Sequence, residues 1–259
     1  MKNKVGILIL HGIGLQKKDY SIKLQQGVEE KLNGSATQVV FREVLYAHLF
    51  DDYARKRSQY LVNCSFEWQF ILRSLRRLLI YVFGDALSYK DRAGYIEVHK
   101  YLSDEIAALK QQLDPDSPII VVTHSLGAML ISDYVYDEQK GINQTGINKT
   151  EIGSCLRAFI SFGCNIPAFE MGHKKTISIT KPGSQFVWQN FFSPFDALGY
   201  RIAEYYEEEY QHFNKPPEFI SDYRIFPGGL LTFWNIFSHL GYWSNNKIHA
   251  AIAEVCEDL

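Results

Sequence analysis

The amino-acid sequence predicts an α/β fold with a mostly parallel central sheet and helices on both faces. Three observations predict it. The apolar runs at residues 5–10 and 118–123 (PIIVVT) have the length and β-branched character of strands buried on both faces. Stretches of helical spacing, first at 21–32 and later at 126–136, alternate with such runs. Each of the two apolar runs leads into a glycine-containing turn, His11-Gly12-Ile13-Gly14 and Thr123-His124-Ser125-Leu126-Gly127.

The elements follow in order. The first strand covers 5–10. A helix at 21–32 is ended by Asn33-Gly34, and the second strand is expected at 38–45. The strand at 118–123 and the helix at 126–136 come next. Strands at 156–162 (LRAFISF) and 186–192 (FVWQNFF), a last short strand at 223–226 and a closing helix at 248–256 complete the alternation. The polar, glycine-dotted stretch 139–153 reads as a surface loop. The chain, 1–259, is expected to form a single domain with a cap or lid inserted at 47–90. Within that insertion Trp68, Ile71, Leu72, Leu75, Leu78, Leu79 and Val82 recur at helical spacing on one face, and Gln69, Arg73, Arg76 and Arg77 cluster opposite. The arginines cut the apolar run short of the ~20 residues a membrane span needs. The 66–83 helix is left three readings: a lid, a peripheral membrane contact, or a helix packed on the sheet.

Composition narrows the function classes. The formal net charge is −2 and the pI is about 6.4, without the basic balance of a nucleic-acid binder. Cys64, Cys155, Cys164 and Cys256 form no C-x-x-C pair and no zinc-spaced cluster with histidine, so no metal is expected. They read as reduced thiols of a cytoplasmic protein. The opening MKNKVGILIL imitates a signal peptide, but its apolar stretch is short and leads into HGIG, as a buried strand would. Sequons at Asn63, Asn143 and Asn148 carry little weight without a secretion signal.

The chemistry centres on Ser125. It sits between an apolar strand and an apolar helix, the context a G-x-S-x-G nucleophile elbow requires. Gly127 supplies the small residue two positions on, while Thr123 stands where a glycine is usual. The N–H groups that open the following helix favour a developing oxyanion. The plain alternative is a serine N-cap. His124 adjoins Ser125 along the chain, so its ring should diverge from the hydroxyl. An oxyanion hole needs one N–H from Leu126 and one from the HGIG loop, with Ile13 preferred and Gly14 second.

HGIG after the first strand, followed by THSLG, resembles the α/β-hydrolase superfamily, nearest its lipase and esterase branches. FISFGCNIP, WQNFFSPFDALGY and SHLGYW are similar to its later strand ends and its histidine loop, so the resemblance spans most of the chain. It implies a Ser-Asp-His triad in that chain order. His239, in a loop before the closing helix, is preferred as the base over His212 and His249. Asp196 is preferred as the acid, with Asp222 second, and a helix N-cap is the plain alternative for Asp196. The expected activity is hydrolysis of carboxylic esters, small or lipid, through an acyl-enzyme at Ser125 without a cofactor. An acyltransferase using the same acyl-enzyme and a non-catalytic binding module remain alternatives.

Overall fold

The computed structural model describes residues 4–12, 16–49, 89, 91–142, 152–170, 179–210, 217–227 and 236–259. Six strands are described: β1 (Lys4–Leu10), β2 (Gln38–Val44), β3 (Ile119–His124), β4 (Leu156–Phe162), β5 (Val187–Phe192) and β6 (Ile220–Arg224). They form one sheet in the order β2-β1-β3-β4-β5-β6, and every neighbouring pair is parallel. The α/β architecture expected from the sequence is thus the observed one.

Seven α-helices are described: α1 (Ile22–Lys31), α2 (Arg92–Lys110), α3 (Leu126–Lys140), α4 (Ile152–Cys155), α5 (Ile166–Glu170), α6 (Ala203–Tyr210) and α7 (Asn246–Glu257). The period-two alternation of the strands builds two cores, one on each face. Leu8 and Leu10 of β1 and Val121 of β3 pack with Val98, Leu102 and Ile106 of α2 and with Leu130 of α3. Ile7, Ile9, Ile120 and Val122 point the other way, onto Leu24 and Val28 of α1 and Ile248 and Ile252 of α7. Because consecutive parallel strands need crossovers, this sandwich brings the carboxyl ends of β1, β3, β4 and β5 to one edge of the sheet.

Several boundaries depart from the sequence reading. Helix α3 runs on to Lys140 and stops at Gly141, whose φ of 64° is the left-handed C-cap that glycine adopts most cheaply. The expected loop at 139–153 therefore begins later and already holds α4 at its end. β6 starts at Ile220 rather than 223, which puts Asp222 in mid-strand instead of at the entry end. His239 lies in a 3-10 segment, Ile236–Ser244, not in an open loop. The inserted cap falls outside the described residues except at 47–49 and 89, and Ile13, Gly14, His212 and the three sequons fall outside them altogether. No helix among the described residues is long and apolar enough to cross a membrane.

Candidate active site

Ser125 joins the end of β3 to α3 with φ 53° and ψ −121°. A positive φ at a residue carrying a side chain costs of order 1–3 kcal/mol and persists only where the surroundings enforce it. They do so here. The Ser125 N–H donates to the Phe162 carbonyl at 3.1 Å, and the Ser125 carbonyl accepts from Ala128 N at 3.0 Å. Gly12 and Gly127 let the first glycine turn close on this corner. A Cβ on Gly12 would stand 2.9 Å from Ser125 Cβ, and one on Gly127 would stand 2.6 Å from the His11 carbonyl oxygen. Thr123, which replaces the usual glycine, is fully buried and leaves the sharp turn intact. The Ser125 side chain caps no helical N–H, so the plain N-cap reading does not describe it. Leu126 is the first residue of α3, so its N–H lies in the unpaired first turn of the helix.

Asp196, from the turn after β5, and His239, from the 3-10 segment, come together across 43 positions of the chain. His239 Nδ1 donates to Asp196 Oδ2 at 2.8 Å and stands 3.0 Å from Oδ1. Asp196 Oδ2 also accepts from the Tyr242 hydroxyl at 2.9 Å, and Oδ1 accepts from Leu198 N at 2.9 Å. Burial alone would raise the Asp196 pKa. The hydrogen bond and charge of His239, the Leu198 N–H and the Tyr242 hydroxyl outweigh it and hold the carboxyl below its ordinary value. With Nδ1 carrying the proton, His239 Nε2 presents a lone pair, and it has no partner among the described residues. Gly163, with φ 56°, runs beneath the ring: a Cβ there would sit 3.1 Å from His239 Cε1.

The competing candidates have structural work. Asp222 Oδ1 accepts from Asn190 Nδ2 at 2.7 Å and from Ile202 N at 3.0 Å, and Oδ2 accepts from Ala203 N at 3.0 Å. It caps α6, the task sequence reasoning had offered Asp196 as the plain alternative. The swap follows from the earlier start of β6, which pairs Asp222 with Asn190 across the sheet. His249 lies in α7 and its Nε2 donates to the Trp243 carbonyl at 2.9 Å.

Sequence reasoning missed three residues that hold the site. Asn165 Nδ2 donates to Ser125 Oγ at 3.1 Å. His124 Nε2 donates to the His239 carbonyl at 2.7 Å, and the two rings lie 4.6 Å apart. Its ring faces the 3-10 segment that carries His239. Tyr46 donates its hydroxyl to the carbonyls of His11 and, at 2.9 Å, Gly12, and its ring stacks on His11 at 4.1 Å. Only Asn165 had a local signal: a polar residue in the otherwise apolar turn FGCNIP that leaves a buried strand. A shallow cavity of about 370 Å³ borders Asp196 between Pro167, Phe192, Pro194, Tyr200 and Arg201, but neither Ser125 nor His239 lines it. Among the described residues no group of acidic, histidine and cysteine side chains is arranged to hold a metal ion.

Burial pushes the imidazole of His11 down to about 4 and those of His124 and His99 down to about 3. His99 lies in a separate buried cluster, where its Nε2 is 3.0 Å from the Tyr89 hydroxyl, which donates to Asp133. These folded values lie below the unfolded value near 6.5, so the unfolded chain binds more protons below that pH. Stability is then fully present above pH 6.5 and falls as pH drops toward 4, by up to about 1.4 kcal/mol per pH unit for each histidine. Asp196, with its lowered pKa, adds a loss in the same direction at still lower pH. Thermal melts are expected to show a Tm that declines steadily from pH 6.5 to 4.5. A flat Tm over that range would contradict neutral burial of these rings.

No protein-family model matches the chain, and no curated protein matches its sequence. Solved structures with a similar course include Est1E from Butyrivibrio proteoclasticus (10% identity, TM-score 0.44, covering 100% of this chain and 90% of that one). Others are the thermostable carboxylesterase EstE1 cloned from a metagenomic library (13%, 0.44, 98% and 81%) and a hyperthermophilic esterase from the archaeon Pyrobaculum calidifontis (11%, 0.42, 99% and 75%). At this degree of likeness the functional reading rests on this chain's own residues.

Proposed function

We propose that the protein is a serine hydrolase of carboxylic esters. The observation that carries this reading is that two features lie at one end of the sheet: a serine in the strained turn between strand and helix, and a histidine whose Nδ1 is held by a buried carboxylate and whose ring lies 4.6 Å from that of His124, the neighbour of Ser125. His239 takes the Ser125 proton on Nε2 as Oγ bonds to the acyl carbon and the carbonyl π electrons move to its oxygen. The Leu126 N–H stabilises that oxyanion, and Ile13 is the proposed second donor. Collapse breaks the bond to the alcohol oxygen, which leaves with the proton from His239. Water then attacks the acyl-enzyme, His239 takes its proton and returns it to Ser125, and the acid departs. Asp196 keeps the tautomer and stabilises the imidazolium. In the structure Ser125 Oγ is held by Asn165 instead of His239, and serine–histidine bonds of this kind often tighten only when substrate is present. No cofactor enters this scheme. The test is turnover of simple aryl esters to equimolar acid and phenol, abolished by one equivalent of a fluorophosphonate. No release from any ester would contradict the reading.

A further inference from the structure

Asn165 is 2% exposed and opens α5, where its backbone carbonyl accepts from Ala168 N at 3.1 Å and Phe169 N at 3.3 Å. Asparagine at such a position ordinarily turns its side chain onto the N–H groups of the first turn. This one turns away and spends Nδ2 on the nucleophile. Its Oδ1 is buried and has no partner among the described residues. A buried acceptor without a donor is costly, and folds retain one chiefly where a ligand or water completes it. The two heteroatoms of an amide are about 2.3 Å apart, so Oδ1 lies within about 5.5 Å of Ser125 Oγ. That is the zone occupied by the first atoms on either side of a carbonyl carbon under attack by Oγ. Gly163, two residues earlier, passes under the His239 ring, so the same turn touches both reacting side chains.

We propose that Asn165 is a specificity-determining residue whose Oδ1 accepts a hydrogen bond from the substrate, selecting esters with a hydroxyl one or two carbons from the scissile bond. This rests on the serine-hydrolase reading above. Nδ2 holds the Ser125 oxygen as an acceptor, which leaves its proton free to be directed to His239. A substrate lacking the hydroxyl leaves Oδ1 buried and unmet, and a site built around a polar contact rejects such analogues more strongly than an apolar pocket rejects a missing methylene.

Two matched pairs test this on the full-length protein. On the acyl side they are phenyl 2-hydroxypropanoate and phenyl 2-fluoropropanoate, each as both enantiomers. On the alcohol side they are 2-hydroxyethyl and 2-fluoroethyl butanoate. Fluorine keeps the size and removes the donor, and its stronger inductive pull is divided out by referring each kcat/KM to the rate of hydroxide-catalysed hydrolysis of the same ester. At least one pair is expected to show a kcat/KM preference of about tenfold or more for the hydroxyl member. The preference should shrink to within about twofold in Asn165→Leu, and likewise in Asn165→Ser should the leucine variant not fold. Absence of preference in both pairs, or a preference that survives substitution, overturns the proposal. Labelling of Ser125 by a fluorophosphonate without any preference overturns it while the serine-hydrolase reading stands. Absence of labelling together with absence of ester turnover overturns both.

Discussion

Ser125→Ala is expected to lower kcat/KM for esters by about 10⁴- to 10⁶-fold, the range found when a nucleophile of this type is removed. The fold should survive, because Ser125 bonds its backbone, not its hydroxyl, into the sheet edge. Ser125→Gly carries a second expectation. Both variants lose Oγ and with it the bond from Asn165, so the difference between them isolates the backbone at φ 53°. Glycine adopts that conformation without the penalty of a Cβ, although it also gives the unfolded chain more freedom. The glycine variant should be the more stable by about 1 kcal/mol, or about 2–4 °C in Tm for a chain of this size. Equal melting temperatures would show that the elbow is not strained. A folded Ser125→Ala protein of full activity would falsify the nucleophile assignment.

The second large effect is expected at the pair behind the nucleophile. His239→Ala should cost about as much as Ser125→Ala, and the double variant should be no worse than either alone, because the two act as one unit. Asp196→Asn should cost about 10³- to 10⁴-fold. The amide would donate to Nδ1 and force the proton onto Nε2, leaving no lone pair for Ser125. It would also change the partner that Tyr242 and Leu198 N now share. Asp222→Asn should leave kcat nearly unchanged and lower Tm through the weakened cap of α6. Multiplicative losses in the Ser125/His239 double variant, or a kinetic collapse in Asp222→Asn, would break the assignment of roles.

Much of this was legible along the chain. The runs at 5–10 and 118–123 are strands because apolar residues, many of them β-branched, fill both faces of a covered sheet, and a run of that length bounded by glycine turns has few other outcomes. Ser125 was legible as a candidate because the chemistry proposed for it lies in a local turn. Asp196 and His239 were legible as candidates through chain order, while their hydrogen bond is a tertiary fact. Asn165 and His124 act across turns from β4 and β3, and nothing in their neighbours along the chain encodes the partner. Asp222 was misplaced because ISDYR alternates weakly: Ile220 is buried, while Ser221, Tyr223 and Arg224 are exposed, as suits an edge strand.

The central claim is that Ser125 is an activated nucleophile at the end of β3. The measurement that meets it most directly is mapping by mass spectrometry of the residue modified by a fluorophosphonate, in the native protein and in His239→Ala. The account predicts a single adduct on the peptide containing Thr123-His124-Ser125-Leu126-Gly127, localised to Ser125, and at least a hundredfold slower labelling once the histidine base is gone. An adduct on another residue, or labelling of Ser125 at an undiminished rate in His239→Ala, would contradict it.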